Sequence, residues 1–303
     1  METKKKKVVV TGAAGFIGSH LSDALVQEGF EVHSIDIRPA PKSYANKDVV
    51  YHENDIRDLA AISAIIKGAE FVFHLAALPR VQYSIEHPIE TNEVNVGGTV
   101  SVLTAAVNGG VRRVIYSASS SAYGDQPVLP LVEKMSAHPK SPYGLQKYVG
   151  ELYAQVWTEI HKIETVSLRY FNVYGPRMNN EGAYALVIGK FLQQRISGKP
   201  MTITGDGEQT RDFTHVSDVV RANILAAKSE KVGKGEVLNI GAGNDFSVNA
   251  VAKLIGGPAE HIAPRLEPRH TRADNTLARE LLGWKPEVSF EKGIAELKQI
   301  NKL

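Results

Sequence analysis

Residues 7–18 read Lys-Val-Val-Val-Thr-Gly-Ala-Ala-Gly-Phe-Ile-Gly. The apolar run predicts a buried strand, and the amphipathic stretch Phe16–Glu28 predicts a helix directly after it. Between the two, Gly12, Gly15 and Gly18 keep a G-x-x-G-x-x-G spacing. Glycine permits a tight turn and close backbone packing. This strand, turn and helix predict the start of a parallel α/β sheet.

The same alternation of apolar runs and helical patterns continues through the first half of the chain. The predicted strands are Lys7–Thr11, Glu31–Asp36, Phe71–Leu75, Val114–Ser117 and Thr165–Tyr170. The predicted helices are Phe16–Glu28, Leu59–Ile66, Glu90–Val107 and Pro142–Ile160. We therefore predict a doubly wound parallel sheet in a domain at 1–171. A smaller α/β domain is expected at 172–303, where Gly and Pro come at shorter intervals, with residues 213–240 returning to the first domain.

Composition excludes several classes of protein. Of 303 residues, 43% are hydrophobic and 22% are charged, which is typical of a globular protein. The net charge of +2 gives no reason to expect nucleic acid. No apolar run reaches membrane-spanning length, and the three valines after Lys4–Lys7 are too few for a signal peptide. We therefore expect neither a nucleic-acid nor a membrane partner.

The absence of cysteine excludes disulfides and thiolate chemistry. It fits a protein of the reducing cytoplasm, and it equally fits a heat-adapted protein. The ten histidines form no His-Glu-x-x-His motif and no close pair at helical spacing. We therefore expect no metal site.

A carboxylate completes a candidate dinucleotide site. Asp36 ends the second predicted strand, 24 positions after Gly12. There it can accept hydrogen bonds from both ribose hydroxyls, while the helix N-terminus faces the pyrophosphate. Asp36 would repel a 2′-phosphate, which favours NAD, and the nearby Arg38 leaves NADP as an alternative. Asp55 and Ile56 suit contacts to adenine, with a helix cap as the other role for Asp55.

A tyrosine and a lysine form the candidate chemical site. Ser141 and Pro142 predict a helix start, which places Tyr143 in the first helical turn. Lys147 follows one turn later on the same face, about 6 Å away between β-carbons. The helix dipole and the ammonium both favour a phenolate, whose pKa is ordinarily near 10. Tyr143 is therefore a candidate base, and a surface Tyr/Lys pair is the alternative.

Hydroxyl groups follow the strand Val114–Ser117. Ser119, Ser120 and Ser121 come at its carboxyl end, where ligands bind in sheets of this kind. Their hydroxyls can donate to a substrate oxygen. A serine-rich turn without a binding role is the alternative.

With these residues in place, the chain resembles the extended short-chain dehydrogenase/reductase superfamily, and within it the UDP-glucose and UDP-N-acetylglucosamine 4-epimerases. The resemblance covers essentially the whole chain, and its motifs lie at 11–18, 55–56, 74–77, 119–124, 141–147, 169–177, 205–213 and 282–284. It implies a Rossmann-type fold, tightly bound NAD and a homodimer formed through helices Glu90–Val107 and Pro142–Ile160. It also implies 4-epimerisation of a UDP-hexose through a transient 4-keto sugar.

The resemblance also implies residue roles. Ser119, Tyr143 and Lys147 match the catalytic residues, Asn95 a residue that supports the cofactor pocket, and Phe171 one beside the nicotinamide. The full cofactor set is Gly12, Gly15, Phe16, Ile17, Gly18, Asp36, Asp55, Ile56, Leu75, Ala76, Ala77, Asn95, Ser117, Tyr143, Lys147 and Phe171. The UDP-sugar set is Ser119, Ser120, Ser121, Tyr143, Asn172, Arg211, Arg265, Glu267 and Thr271.

The chain departs from the family pattern in one place. The usual Arg-x-Gly-acid appears as Arg265-Leu266-Glu267, one residue shorter. Arg211 and Arg265 are expected to clamp the diphosphate, and Glu267 to accept from the uridine ribose. The departure falls on Arg265 and Glu267, whereas Asn172 and Arg211 keep the family pattern.

Other activities stay open. Related 4,6-dehydratases and decarboxylases need an acid in the stretch before Tyr123, where this chain has no acid until Asp125. A non-enzymatic NAD-sensing protein is a further alternative. Thr271, where hexose-restricted relatives have a tyrosine, leaves room for an N-acetyl group, so both UDP-glucose/UDP-galactose and UDP-GlcNAc/UDP-GalNAc are expected substrates. Arg80 is a conceivable partner for the carboxylate of a uronate.

Overall fold

The structure, a computed structural model, describes residues 5–178, 186–263 and 269–303. Its strands are β1 Lys7–Thr11, β2 Glu31–Asp36, β3 Val49–Glu53, β4 Phe71–His74, β5 Arg113–Ser119, β6 Glu164–Tyr170, β7 Val173–Tyr174, β8 Met201–Thr204, β9 Thr210–Arg211, β10 Thr214–His215, β11 Lys234–Ile240, β12 Phe246–Ser247 and β13 Ala259–Ile262. Its α-helices are α1 Phe16–Gln27, α2 Leu59–Ile66, α3 Val81–Glu86, α4 Pro88–Asn92, α5 Gly98–Asn108, α6 Pro142–His161, α7 Val187–Ile196, α8 Val216–Lys228, α9 Val248–Ile255, α10 Thr276–Leu282 and α11 Phe290–Ile300.

Seven parallel strands form the central sheet, in the order β11-β6-β5-β4-β1-β2-β3. The chain winds outward from β1 in both directions, so the strand order reverses between β1 and β4. Val10 faces Ser34 on one side and Phe73 on the other. In open sheets of this kind, ligands bind outside the carboxyl ends of the strands at that reversal. The predicted doubly wound parallel fold is therefore confirmed.

Both faces of the central sheet are covered. Leu21 of α1 and Trp284 lie in one buried cluster, and Ile62 of α2 and Val102 of α5 lie in another. A third cluster, which includes Phe191 and Phe290, lies beneath the three two-stranded pairs β7–β10, β8–β13 and β9–β12. These pairs and their helices follow residue 172. The elements β11 and α8 also follow residue 172, but they pack with the central sheet. The division at 171/172 stays a prediction.

The sequence predicted the strands that consist of continuous apolar runs. All five predicted strands are present, although β5 is longer than Val114–Ser117 at both ends. The edge strand β3 was missed as a named strand because only Val49 of its five residues is buried. The predicted helix Glu90–Val107 is instead α4, a π-helical turn over Glu93–Gly97, and α5. In the part of the chain that the structure describes, no helix is both long and apolar enough to span a membrane.

Candidate active site

The glycine turn after β1 fits a phosphate group. Gly12 has a φ of +72°, and a β-carbon there would lie 2.7 Å from the Ala76 nitrogen. A β-carbon on Gly18 would lie only 2.3 Å from the Gly12 carbonyl oxygen. Both positions therefore require glycine, and α1 begins directly on the turn, with Gly15 at its N-cap. Free N–H groups and the helix dipole make this a ready anion site, flanked by Phe16 and Ile17 of the first helical turn.

Asp36 lies beside that turn. Its Oδ2 accepts a hydrogen bond from the Ala14 nitrogen at 3.1 Å, and its Oδ1 accepts one from the Arg38 nitrogen at 3.1 Å. The Arg38 guanidinium lies 3.6 Å from Oδ1 and is 68% exposed. The carboxylate thus stands at the end of β2, next to the glycine turn, where a ribose would bind.

Asp55 is held by a neighbouring arginine. The Arg57 guanidinium donates to both carboxylate oxygens, at 2.6 Å for Nη2 to Oδ2. This hydrogen bonding lowers the pKa of Asp55. Asp55 is not the cap of α2, because Asp58 caps it by accepting from the Ala61 nitrogen at 3.0 Å. Ile56 is buried.

A buried chain of hydrogen bonds, missed in the sequence, fixes the backbone across from the glycine turn. Thr11 Oγ1 accepts from the Ala76 N–H (3.1 Å) and also hydrogen-bonds His74 Nδ1 (2.8 Å). His74 Nε2 donates to Thr99 Oγ1 (2.9 Å), because that hydroxyl donates to the Asn95 carbonyl (2.7 Å). Burial lowers the pKa of His74 to about 3, so its ring is neutral and Nδ1 accepts from the Thr11 hydroxyl.

Asn95 acts through the same backbone segment. Its Oδ1 accepts from the Leu78 nitrogen at 2.7 Å, and its Nδ2 donates to Gln146 Oε1 at 2.8 Å. Asn95 lies in the π-helical turn, a feature frequent at functional sites. It thus links residues 75–78 to α6, which agrees with the supporting role expected for it.

Tyr143 lies where the sequence predicted, in the first turn of α6. The helix begins at a Ser141 cap that accepts from the Gly144 nitrogen at 3.1 Å. The Tyr143 nitrogen donates to Ser84 Oγ at 3.0 Å. Burial raises the pKa of the Tyr143 phenol, while a hydrogen bond with Ser119 and the charge of Arg80 lower it. The structure thus brings Ser119 and Tyr143 together and adds Arg80 as a neighbour.

Lys147 is buried one turn further along α6. Its Nζ donates to the Ser117 carbonyl at 2.5 Å and lies 4.9 Å from the centre of the Tyr116 ring. Burial lowers the pKa of Lys147 to about 7, and the charge of Glu151 opposes that shift. The direct hydrogen bond of the ammonium is therefore to β5, next to Ser119, and it ties the helix to the strand.

The serines form the rim of the carboxyl edge. Ser119 is the last residue of β5, and its Oγ accepts from the Ser121 nitrogen at 3.2 Å and donates to Ser121 Oγ at 3.1 Å. Ser120 begins a single 3₁₀ turn over Ser120–Ala122. Phe171 is fully buried beside Tyr123, and its place beside the nicotinamide stays a prediction.

Asn172 and Arg211, 39 positions apart, line one cavity of about 90 Å³. Its wall is otherwise mainly apolar and includes Tyr174 and Phe213. The Asn172 amide donates to the Asp212 carbonyl at 3.0 Å. The Thr271 N–H donates a hydrogen bond to the Thr210 carbonyl oxygen. The Thr271 Oγ1 is buried without a hydrogen-bond partner among the described residues. Arg265 and Glu267 lie outside the described residues.

Asp212, missed in the sequence, organises this region. Its fully buried carboxylate accepts from the nitrogens of Ala242 (2.8 Å), Gly243 (3.0 Å) and Ala273 (2.9 Å). Burial raises its pKa to about 7, and these backbone donors oppose the rise. Its chain position next to Arg211 would have suggested a role. Within 5–178, 186–263 and 269–303, no three His, Asp or Glu side chains form a metal-binding group.

Comparison with known proteins agrees with this geometry. Residues 8–241 match the model of the NAD dependent epimerase/dehydratase family, so the chain belongs to that family. It is 38% identical to a UDP-glucose 4-epimerase from Mycolicibacterium smegmatis over 306 residues, or 96% of each chain. The structure of a Thermotoga maritima UDP-glucose 4-epimerase with UDP-glucose is similar, with a TM-score of 0.91 and 36% identity over 97% of this chain and 99% of the other.

Family members with other substrates are also similar. One is a UDP-N-acetylglucosamine 4-epimerase from Methanobrevibacter ruminantium, with a TM-score of 0.92 and 34% identity over 99% of this chain and all of the other. Another is a Bacillus cereus UDP-glucuronic acid 4-epimerase in complex with UDP-glucuronic acid and NAD, with a TM-score of 0.88 and 33% identity over 98% and 99%.

Proposed function

We propose that this chain is an NAD-dependent UDP-sugar 4-epimerase, an isomerase that inverts C4 of a UDP-hexose through a transient 4-keto sugar. The observation that carries the proposal is the hydrogen bond between Ser119 and Tyr143 at the carboxyl end of β5, where the Lys147 ammonium binds the nearby Ser117 carbonyl. Fold alone never proves an activity, but this site has the parts that alcohol oxidation needs. The similarity to 4-epimerases over nearly the whole chain supports the same activity.

The residues at the reversal of strand order fit NAD. The glycine turn and the N-terminus of α1 would hold the pyrophosphate, and Asp36 would hold a ribose. Asp55 and Ile56 would contact the adenine, and Leu75–Ala77 with Ser117 would border the nicotinamide half. When bound, NAD supplies the acceptor and donor of a hydride.

Proton transfer falls to the chain itself. Tyr143, as a phenolate, takes the proton of the sugar 4-hydroxyl, and the Ser119 hydroxyl hydrogen-bonds the same oxygen. The same phenol returns a proton after the sugar has turned. Arg80 provides a positive charge that favours the phenolate. Lys147, one helical turn from Tyr143, is proposed to add a second. The Tyr143 phenol oxygen thus accepts one proton and returns one in each reaction cycle.

The nucleotide would be held in the second half of the chain. Asn172 and Arg211 share a cavity, so an amide and a guanidinium face one ligand space. Asp212 keeps this wall rigid through its three backbone contacts. Arg265 and Glu267 complete the proposed grip. Thr271 is the proposed determinant of space for an N-acetyl group.

Two other kinds of reaction can be weighed from the residues near Ser119 and Tyr143. A dehydratase or decarboxylase needs an acid next to Ser119, and the first acid after it, Asp125, is 59% exposed and lies 3.8 Å from Lys140. That position argues against both. A uronate 4-epimerase is favoured as second candidate by one observation, the charge of Arg80 beside Tyr143, which could pair with a substrate carboxylate.

One assay series tests these proposals. Purified protein with NAD is given each of three pairs: UDP-glucose/UDP-galactose, UDP-GlcNAc/UDP-GalNAc and the corresponding uronates. NMR of the product should show an intact sugar inverted at C4. Loss of water or carbon dioxide, or no reaction with any pair, would overturn the proposal. Because the charge of Arg80 also acts on Tyr143, Arg80→Leu should lower turnover with every pair, and it should lower uronate turnover most if that candidate is correct.

We also propose a homodimer in the cytoplasm, acting in carbohydrate metabolism. Tyr153 and Trp157 of α6, one of the helices expected at the interface, pack against the protein's own core. An apolar strip nonetheless stays exposed on α3, α4 and α6, formed by Val81, Ile85, Ile89, Leu145, Leu152 and Val156. Leu152→Glu with Val156→Glu should give a monomer in light scattering, whereas Ile300→Glu, an exposed residue of α11, should not.

A further inference from the structure

A buried ion pair lies behind the lysine of the active site. The Arg169 guanidinium donates to both oxygens of Glu151, with Nε to Oε1 at 2.9 Å and Nη2 to Oε2 at 2.7 Å. The two side chains are 4% and 1% exposed. Burying two charges costs free energy that their attraction often fails to offset. Packing alone therefore does not explain this pair.

Its position connects it to the chemistry. Tyr143, Lys147 and Glu151 are spaced by four residues and follow one another on one face of α6. Arg169 comes from β6, the neighbour of β5 in the sheet. A phenol, an ammonium, a carboxylate and a guanidinium thus follow in sequence, leading away from the substrate into the core.

The other groups around Lys147 do not supply a negative charge. Tyr116 of β5 presents its ring, and burial raises its pKa well above the ordinary value. His74 of β4 is neutral, because burial lowers its pKa to about 3. Tyr143 carries the proton that the reaction moves. Among the described residues whose charges act on Lys147, Glu151 is therefore the carboxylate.

We propose that Glu151 is a positioning residue that keeps Lys147 protonated, and that Arg169 in turn keeps Glu151 ionised. The inference rests on the proposed epimerase function. Glu151 touches neither substrate nor cofactor and acts only through Lys147. Arg169 also packs its guanidinium over the Tyr123 ring at 4.5 Å, which fixes it in place.

The electrostatics agree with this arrangement. Burial lowers the pKa of Lys147 to about 7 even though the charge of Glu151 opposes the shift, so loss of that charge would lower the pKa further. Burial also raises the pKa of Glu151, and the hydrogen bonds and charge of Arg169 oppose that rise. Loss of the ammonium would remove a positive charge one helical turn from Tyr143, which should raise the pKa of the Tyr143 phenol.

Two substitutions that remove the negative charge of Glu151 test the proposal, one directly and one through Arg169. The pH dependence of kcat is measured for the wild type, Glu151→Gln and Arg169→Gln, with Glu159→Gln, an exposed acid of α6, as the matched control. The alkaline limb reports deprotonation of Lys147. In Glu151→Gln it should move to lower pH by about one unit or more. In Arg169→Gln, where the Glu151 carboxyl can protonate, it should move in the same direction, and in Glu159→Gln it should stay.

Glu159→Gln shows whether the loss of any acid from α6 moves the limb. An unmoved alkaline limb in Glu151→Gln, or a shift to higher pH in Arg169→Gln, would overturn the proposal. If either single variant fails to fold, Glu151→Leu with Arg169→Met replaces the pair by apolar groups, and its alkaline limb should lie below that of the wild type.

A second readout separates this proposal from the proposed function. The ultraviolet tyrosinate absorbance of the NAD-loaded protein, taken as the difference from Tyr143→Phe, gives the pKa of Tyr143 without any turnover. Glu151→Gln should raise that pKa and Glu159→Gln should leave it unchanged. No change in Glu151→Gln contradicts the role of Glu151 even if the protein proves to act on no UDP-sugar.

Discussion

Replacement of Gly18 by alanine tests the fit between the glycine turn and the dinucleotide. The added β-carbon would lie 2.3 Å from the Gly12 oxygen and 2.7 Å from the Ala13 α-carbon. Ordinary contact is about 3.5 Å, so α1 must move by about 1 Å. Overpacking of this kind costs about 1–3 kcal/mol of folding stability. The shift also pulls the N–H groups of α1 from the pyrophosphate.

Loss of one such charged hydrogen bond costs about 1.5–3 kcal/mol, which is a roughly 10- to 150-fold weaker NAD affinity. Isothermal titration calorimetry measures the NAD affinity, and thermal unfolding measures the folding stability. Gly97→Ala is the matched control, because Gly97 has a helical φ of −58° and open space where its β-carbon would stand. Equal NAD affinities for Gly18→Ala and Gly97→Ala would refute the assignment of the turn.

Three other changes give distinct results. The pKa of Lys147 is about 7 in the folded chain and about 10.4 unfolded, so the unfolded state binds more protons between these values and stability should rise with pH. Lys147→Met should flatten that rise of stability with pH, as measured by urea titrations of the NAD-free protein at several pH values. An unchanged slope of stability against pH would contradict the low pKa of Lys147. Asp36→Asn removes a charge that repels a 2′-phosphate, so the ratio of NADP to NAD affinity should increase about tenfold or more; an unchanged ratio would place the ribose elsewhere. Arg211→Ala should raise the KM for UDP-sugar about tenfold or more with kcat nearly kept, and a selective loss of kcat would argue against a binding role.

The sequence predicted the fold where the pattern was continuous. The strands β1 and β2 and the helix α2 have the predicted bounds because their apolar residues are buried and regularly spaced. It did not predict the elements that depend on contacts with other parts of the chain. The strand β3 exposes most of its residues and is defined by pairing with β2. The π-helical turn around Asn95 follows from hydrogen bonds to Leu78 and α6, which no local pattern encodes.

The candidate site divides in the same way. Local chemistry pointed to Tyr143 with its Ser141 cap and to the glycine turn, both of which act within a few residues. The contacts that tune the site are long-range. His74 is hydrogen-bonded by Thr11 and Thr99, and Asp212 is held by the nitrogens of residues 242, 243 and 273. Such partners lie 25 to 63 positions from His74 and 30 to 61 from Asp212, beyond any spacing rule.

Tyr143→Phe, assayed for inversion at C4 of UDP-glucose and for bound NAD in the same preparation, tests the account most directly. The change removes one oxygen from a packed ring, so the fold and the cofactor should persist. We expect turnover to fall by about 100-fold or more, with NAD content equal to that of the wild type. Near-normal inversion by this variant would contradict the claim that the phenol moves the proton.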